Sequence, residues 1–309
     1  MRILITSILI CVIVTCAFLT GCASPTANIS DTPKQTASAT SSKYTINFSE
    51  MSGSVSNVTF ELSIPQPNLP DKVKIYKMVR PEITTEYLVS LGVKFGLKGE
   101  VQQDNDAASI QDKESGATLG ISKITGTIDY KVSSKFYPKE KPNLPSDEEA
   151  KKIAMDFLSE RSLLPEGDVA STVNRQATTS YGTAHLLVSF THAIDITGPG
   201  AKHGVRIGNN GEVIAVFINP TNPLNLPVQE IATPKSINAA YQEMQVSQNY
   251  LMSLKTQKVK VTTVKIAYWL ESVDKGQEYI VPVYVFGGQC FDNSGKQVGI
   301  FTGYAQAVD

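Results

Sequence analysis

Three times along this chain a helix start is followed by stretches in which apolar and polar residues alternate, and that repeated order constrains the fold more than any single residue does. The second start is the clearest: Ser146-Asp147-Glu148-Glu149 has the form of a capping box, with Ala150, Ile153, Ala154, Phe157 and Leu158 on one helical face behind it. The first start lies near Thr84 or Thr85, with Tyr87, Leu88, Leu91 and Phe95 on one face and Gly96 at the end. The third lies near Thr233-Pro234, with Ile237, Ala240, Tyr241 and Met244 sharing a face. After the first come strands near Ala107–Gln111, Thr118–Ser122 and Thr127–Tyr130. After the second come Ala184–Ile196, Gly204–Gly208 and Glu212–Ile218, the last two joined by an Asn210-Gly211 turn. After the third come Val264–Leu270, Tyr279–Phe286 and Gln297–Gln306. Tyr279–Phe286 is apolar on both faces and reads as a central strand, although Pro282 cannot donate to a ladder and demands an edge or bulge there. The expected class is α+β, with antiparallel sheets each packed by a helix and three helix-then-strands units.

The N-terminus carries a different signal. Met1-Arg2 gives a positive start, residues 3–18 form an almost wholly apolar run, and Leu19-Thr20-Gly21-Cys22 follows. A charged start, an apolar core and small residues at a cut site describe a secretory signal. The four residues resemble the bacterial lipobox, in which the cysteine receives a diacylglycerol and becomes the new N-terminus. That resemblance implies lipidation of Cys22, palmitate-type acyl chains in the bilayer, and a position on the extracytoplasmic face of a membrane. The competing reading is an uncleaved transmembrane helix, but the run is short of the roughly 20 residues a span needs. The expected organisation is therefore a signal peptide over 1–21 and a Ser/Thr-rich tether over 22–43. Beyond it lie N-terminal strands with the first α+β unit over 44–140, a second unit over 145–222 and a third over 232–309. Of the four cysteines, Cys11 and Cys16 leave with the signal and Cys22 is acylated, so Cys290 has no internal partner and core packing must hold the fold. Cys290 itself is expected to be a buried, inert thiol rather than a nucleophile.

Local chemistry is sparse. The three histidines are His185, His192 and His203. A metal site built from them with Asp195 is the sharpest catalytic idea, but His185 and Asp195 lie ten residues apart on one strand, far too distant to share an ion. His192 points the same way as Leu186, Val188 and Phe190 and is expected to be a hydrogen-bonded residue at a core edge. No metal and no cofactor are expected. The loop from Gly198 to Gly204 is glycine-rich and holds Lys202, but a strand rather than a helix follows, so it is not a phosphate loop. The acids at 147–149 are accounted for by helix capping. Trp269, Tyr268, Tyr279, Tyr284 and Tyr304 read first as sheet packing and second as a binding surface. A net charge of -1 argues against a nucleic-acid partner.

The strings Ser146 to Ala154 and Gly204 to Val213, and again Pro234 to Met244 followed by Ile266 to Tyr268 and Val281 to Phe286, resemble PepSY-type modules. From Pro81 onward the arrangement is also similar to the YycH/YycI type of extracytoplasmic regulators, although those keep a transmembrane helix where this chain has a lipobox. The resemblance implies a non-enzymatic, membrane-anchored extracytoplasmic module that binds or regulates another envelope protein, and it carries over no catalytic residues. The alternatives from the residues themselves are a solute- or envelope-polymer-binding lipoprotein and an envelope hydrolase.

Overall fold

In the computed structural model, residues 43–48, 57–65, 67–201 and 203–309 are described here; the signal, Cys22 and nearly all of the tether lie outside them. Among the described residues no helix is long and apolar enough to cross a membrane. The class is α+β, dominated by sheets.

The largest sheet has eight strands. They are β3 (Val101–Gln103), β4 (Ala107–Gln111), β5 (Ala117–Ser122), β6 (Ile128–Val132), β7 (Val169–Thr179), β8 (Gly182–Thr191), β10 (Gly204–Ile207) and β11 (Val213–Ile218), in the order β3-β4-β5-β6-β11-β10-β8-β7. Every neighbouring pair is antiparallel. Helices α1 (Thr85–Lys94) and α2 (Asp147–Glu160) cover one face: Leu88 and Leu91 from α1 and Ala150, Ala154 and Leu158 from α2 are buried on Ile110, Leu119, Leu186, Val188, Val205 and Val216. Instead of each helix having its own sheet, the two share this one, because β6 and β11 pair through Tyr130 and Val216 and fuse the two runs of strands. The capping box forms: Glu149 N donates to Ser146 Oγ at 3.3 Å and Ser146 N to Glu149 Oε2 at 2.9 Å.

The second sheet contains β1 (Thr59–Leu62), β9 (Ile196–Thr197), β13 (Tyr250–Leu251), β14 (Lys258–Trp269), β16 (Pro282–Phe291) and β17 (Gln297–Gln306). Helix α3 (Ile237–Ser247) packs on it through Ala240 and Met244 against Val259, Val261, Phe286 and Phe301. The expectation of purely antiparallel sheets is corrected here: β1 and β9 both run parallel to β14. The cause is the length of β14. One of its edges pairs with β16, and two short segments from remote parts of the chain cover opposite ends of the other edge, where unpaired backbone groups would otherwise be left open. The third sheet joins β12 (Val228–Ala232), β2 (Val73–Lys77) and β15 (Tyr279–Ile280). Strands β1 and β2, which precede α1 in sequence, thus lie in sheets formed with C-terminal strands.

Other expectations shift for local reasons. The third helix starts at Ile237 with Ser236 as its cap, not near Thr233-Pro234. Lys235 N donates to Ala307 O at 2.7 Å and Lys235 O accepts from the Tyr284 hydroxyl at 2.7 Å, which holds the preceding residues out of the helix. The segment Tyr279–Phe286 is two strands: β15 belongs to the small sheet, and from Pro282 the chain enters the centre of the second sheet between β14 and β17. Strand β8 ends at Thr191, and Asp195 O accepts from Tyr268 N at 2.8 Å, drawing the chain over to β14. Strand β7, which the sequence did not suggest, is the outer partner of β8.

Candidate functional site

The helix-free face of the eight-stranded sheet carries a recess of ≈ 800 Å³. Its floor follows from strand register. Lys131 on β6, Ala215 on β11, Arg206 on β10 and Leu187 on β8 lie side by side in one row. In the next row stand Asp129, Phe217, Gly204 and Ser189. Side chains two apart share a face, so these residues point away from α1 and α2. The short residues Ala215, Gly204 and Ser189 make the hollow, and Phe217, Leu187, Phe136 and Tyr137 wall it. Tyr137 is 71% exposed.

Arg206 is held in place within this recess. Its Nη1 donates to His185 Nε2 at 2.8 Å, and its guanidinium stands 5.8 Å from the centre of the Phe136 ring. A guanidinium only donates, so Nε2 of His185 must accept. The proton then sits on Nδ1, which donates to Phe136 O at 3.3 Å. His185 is a neutral imidazole in this arrangement; burial first, and the Arg206 charge second, hold its pKa below the usual histidine value. Among the described residues no carboxylate lies within ion-pairing distance of Arg206, so the recess presents an oriented cation beside apolar walls.

A second cluster sits at one end of the same sheet, next to the recess. Asp168 precedes β7, His192 follows β8 and His203 precedes β10, and these strands are neighbours. The pairing of Val169 with Thr191 sets Asp168 beside His192, and the Phe190 amide facing His203 O sets His203 next to both. His192 Nδ1 lies 2.8 Å from Asp168 Oδ2, and His192 Nε2 lies 3.5 Å from Ala201 O. His203 Nδ1 is 3.2 Å from the same Oδ2. Distance alone suggests a second hydrogen bond there, but the direction is wrong, and neither ring nitrogen of His203 has a hydrogen-bond partner among the described residues. A contact so misaligned contributes little at that distance. Phe190 stacks on the His203 ring at 4.9 Å. Burial pushes the Asp168 carboxyl up, but the two imidazoles more than offset it and hold its pKa at about 2. Burial likewise pulls His192 down, and the Asp168 carboxylate outweighs it, leaving the pKa raised.

The glycine-rich loop places this cluster. A Cβ on Gly198 would lie 2.4 Å from Leu270 O, and one on Gly200 would lie 2.0 Å from Glu271 O. Only glycine permits that close approach, which fixes the loop leading to His203. Of the residues singled out from the sequence, Asp195 pairs instead with Lys265 at 2.5 Å. Cys290 lies on β16 of the second sheet and is wholly buried in its core. Trp269, Tyr284 and Tyr304 are buried as well, with Trp269 edge-on to both Phe48 and Tyr304. Tyr268 and Tyr279 are half-buried against smaller apolar clusters, so the aromatic-rich C-terminal part is mostly core, and Tyr137 on the recess is among the exposed aromatics. Asp168 and Arg206 were missed, since each acquires its meaning only through strand register.

No family model matches the chain, and no curated protein matches it. Among solved structures it is similar to an uncharacterized protein from Eubacterium rectale, with 11% identity and a TM-score of 0.47, covering 82% of this chain and 90% of that one.

Proposed function

We propose that this chain is a lipid-anchored, extracytoplasmic binding protein without catalytic activity. Cys22 carries the lipid, and the recess on the eight-stranded sheet takes a segment of another envelope protein that presents a carboxylate next to an apolar group. The observation that carries this reading is Arg206, oriented by a neutral His185 and flanked by Lys131, Phe136 and Phe217 in a hollow of ligand-binding size. A guanidinium fixed in advance by a neutral partner keeps its charge for an incoming anion and loses little conformational freedom on binding. The reading of the chain as three PepSY-like rounds belongs to the same proposal. It is supported by the order α1 then β3 to β6, α2 then β7 to β11, and α3 then β13 to β17. A second reading, a solute- or polymer-binding lipoprotein, is favoured by Tyr137 at the rim, whose exposed ring can stack on a flat ligand.

A library of apolar peptides, displayed with free C-terminal carboxylates and as matched amides, tests the site. Carboxylate-dependent binding that falls at least about tenfold in Arg206→Ala is the expected result for a charge-assisted contact. Binding indifferent to the carboxylate, or to Arg206, would overturn it. Fractionation of cells carrying Cys22→Ser tests the anchor separately: the protein should leave the membrane fraction.

A further inference from the structure

We infer that Asp168, His192 and His203 bind one divalent transition-metal ion of the zinc class. This is independent of what occupies the recess. One ligand atom from each residue lies within 4.8 Å of the others. The Asp168 side chain is 3% exposed, that of His203 0% and that of His192 14%. Two imidazoles and one carboxylate are a donor set that suits zinc and its neighbours rather than magnesium or calcium, which prefer oxygen alone.

The alternative is a plain ion pair between His192 and Asp168. It accounts for those two side chains and leaves His203 unexplained. His203 is a fully buried imidazole whose two nitrogens make no hydrogen bond, with Nδ1 lying 3.2 Å from the same carboxylate oxygen. Buried polar groups are nearly always satisfied, and a metal ion between Nδ1 of His203, Nδ1 of His192 and Asp168 would satisfy it. Tetrahedral zinc with bonds of about 2.0–2.1 Å needs ligand atoms about 3.3 Å apart. The Asp168–His192 and Asp168–His203 separations are 2.8 and 3.2 Å and all three ligand atoms lie within 4.8 Å, so the set is completed by opening the first pair slightly and bringing the two imidazoles to the same spacing. The Ala201 carbonyl beside His192 Nε2 stands where an outer partner of a metal-bound histidine belongs, leaving Nδ1 free to ligate.

The backbone is shaped for the same contact. Gly167 has φ +80, and a Cβ there would lie 2.7 Å from that of Ala193, so the turn before Asp168 closes directly on the residue after His192. A small cavity of ≈ 10 Å³, bordered by Asp168, His192, Ala193 and Pro165, adjoins two of the three side chains and has room for about one water molecule. The ion would tie together the ends of β7, β8 and β10. Ala201 and His203 also border the recess, so the same ion would fix one part of its rim.

The test uses the full-length chain in detergent, stripped with a chelator and titrated with zinc chloride against a chromophoric competitor. One zinc per chain is expected, with a rise in Tm. Asp168→Asn and His203→Gln should each weaken binding by at least about 100-fold, more than loss of an outer partner costs, while His185→Gln leaves it unchanged. Because His203→Gln can fail on folding alone, the unsubstituted protein is also loaded with cobalt(II), which should give the intense visible absorption of a four-coordinate ion. No zinc at one equivalent, equal binding by the two ligand variants, or a cobalt spectrum like that of the ion in water would each overturn the assignment.

Discussion

The packing of α3 on the second sheet rests on one glycine, and Gly303→Ala tests it. Gly303 lies on β17 opposite Phe286 and Tyr250. A Cβ built there would lie 2.0 Å from Met244 Sδ and 2.8 Å from Phe301 Cζ. Met244 and Phe301 are themselves fully buried, so neither can swing into solvent. Two effects oppose each other. An alanine in a strand is better than glycine by roughly 0.5–1 kcal/mol on backbone entropy alone, whereas an extra methyl forced into a filled core costs about 1–3 kcal/mol. With contact this close the second term wins, and a net loss of about 1–2 kcal/mol is expected, or roughly 2–8 °C in Tm for a chain of this size. Urea unfolding of the full chain, followed by the fluorescence of the single tryptophan, Trp269 on β14, reads the sheet concerned. Met244→Ala alone should cost about 2–5 kcal/mol through the space it leaves. Combined with Gly303→Ala it should cost less than the sum by at least about 1 kcal/mol, since the new methyl enters that space. A neutral or stabilising Gly303→Ala, or a double variant additive within about 0.5 kcal/mol, would refute the close approach.

Three further outcomes follow from separate features. Ser146→Ala removes the acceptor of the α2 cap and should destabilise by about 1 kcal/mol in the same urea assay. His185 is neutral in the fold with a lowered pKa, while the unfolded chain takes up the proton near pH 6.5; its contribution is whole above that pH and is lost as pH falls below it. The drop in Tm between about pH 7.5 and 5.5 should therefore be smaller in His185→Gln than in the unsubstituted protein, the opposite-signed contribution of His192 being common to both. Asp195→Ala, which breaks a pair whose two side chains are more than half exposed, should change stability by less than about 1 kcal/mol and leave zinc binding intact.

What the sequence disclosed and what it hid divide by distance along the chain. The capping box at 146–149 and the span of β17 were legible because each is set within a few neighbouring residues. That His192 is hydrogen-bonded was also anticipated, although it lies just past the end of β8 rather than on the strand the alternation suggested. Strand β7 was not, because it is an edge strand with one partner, and its residues Ser171, Thr172, Asn174, Arg175 and Gln176 show no apolar alternation. With β7 unseen, Asp168 had no place beside His192, 24 residues away; Arg206 and His185, 21 residues apart, lie on strands that were legible, but which strands pair and in what register was not. Both clusters are products of pairing register, and that makes them sensitive to it. A slip of one residue between β7 and β8 would break the pairing of Val169 with Thr191, and a slip between β8 and β10 would turn Arg206 out of the recess toward the helices. The buried apolar set Leu186, Val188, Val205 and Ile207 resists that slip, since the same movement would carry it out of the core. The packing that fixes the fold therefore also fixes the carboxylate between two imidazoles and the guanidinium over Phe136, although no residue of either group is itself a hydrophobic core residue.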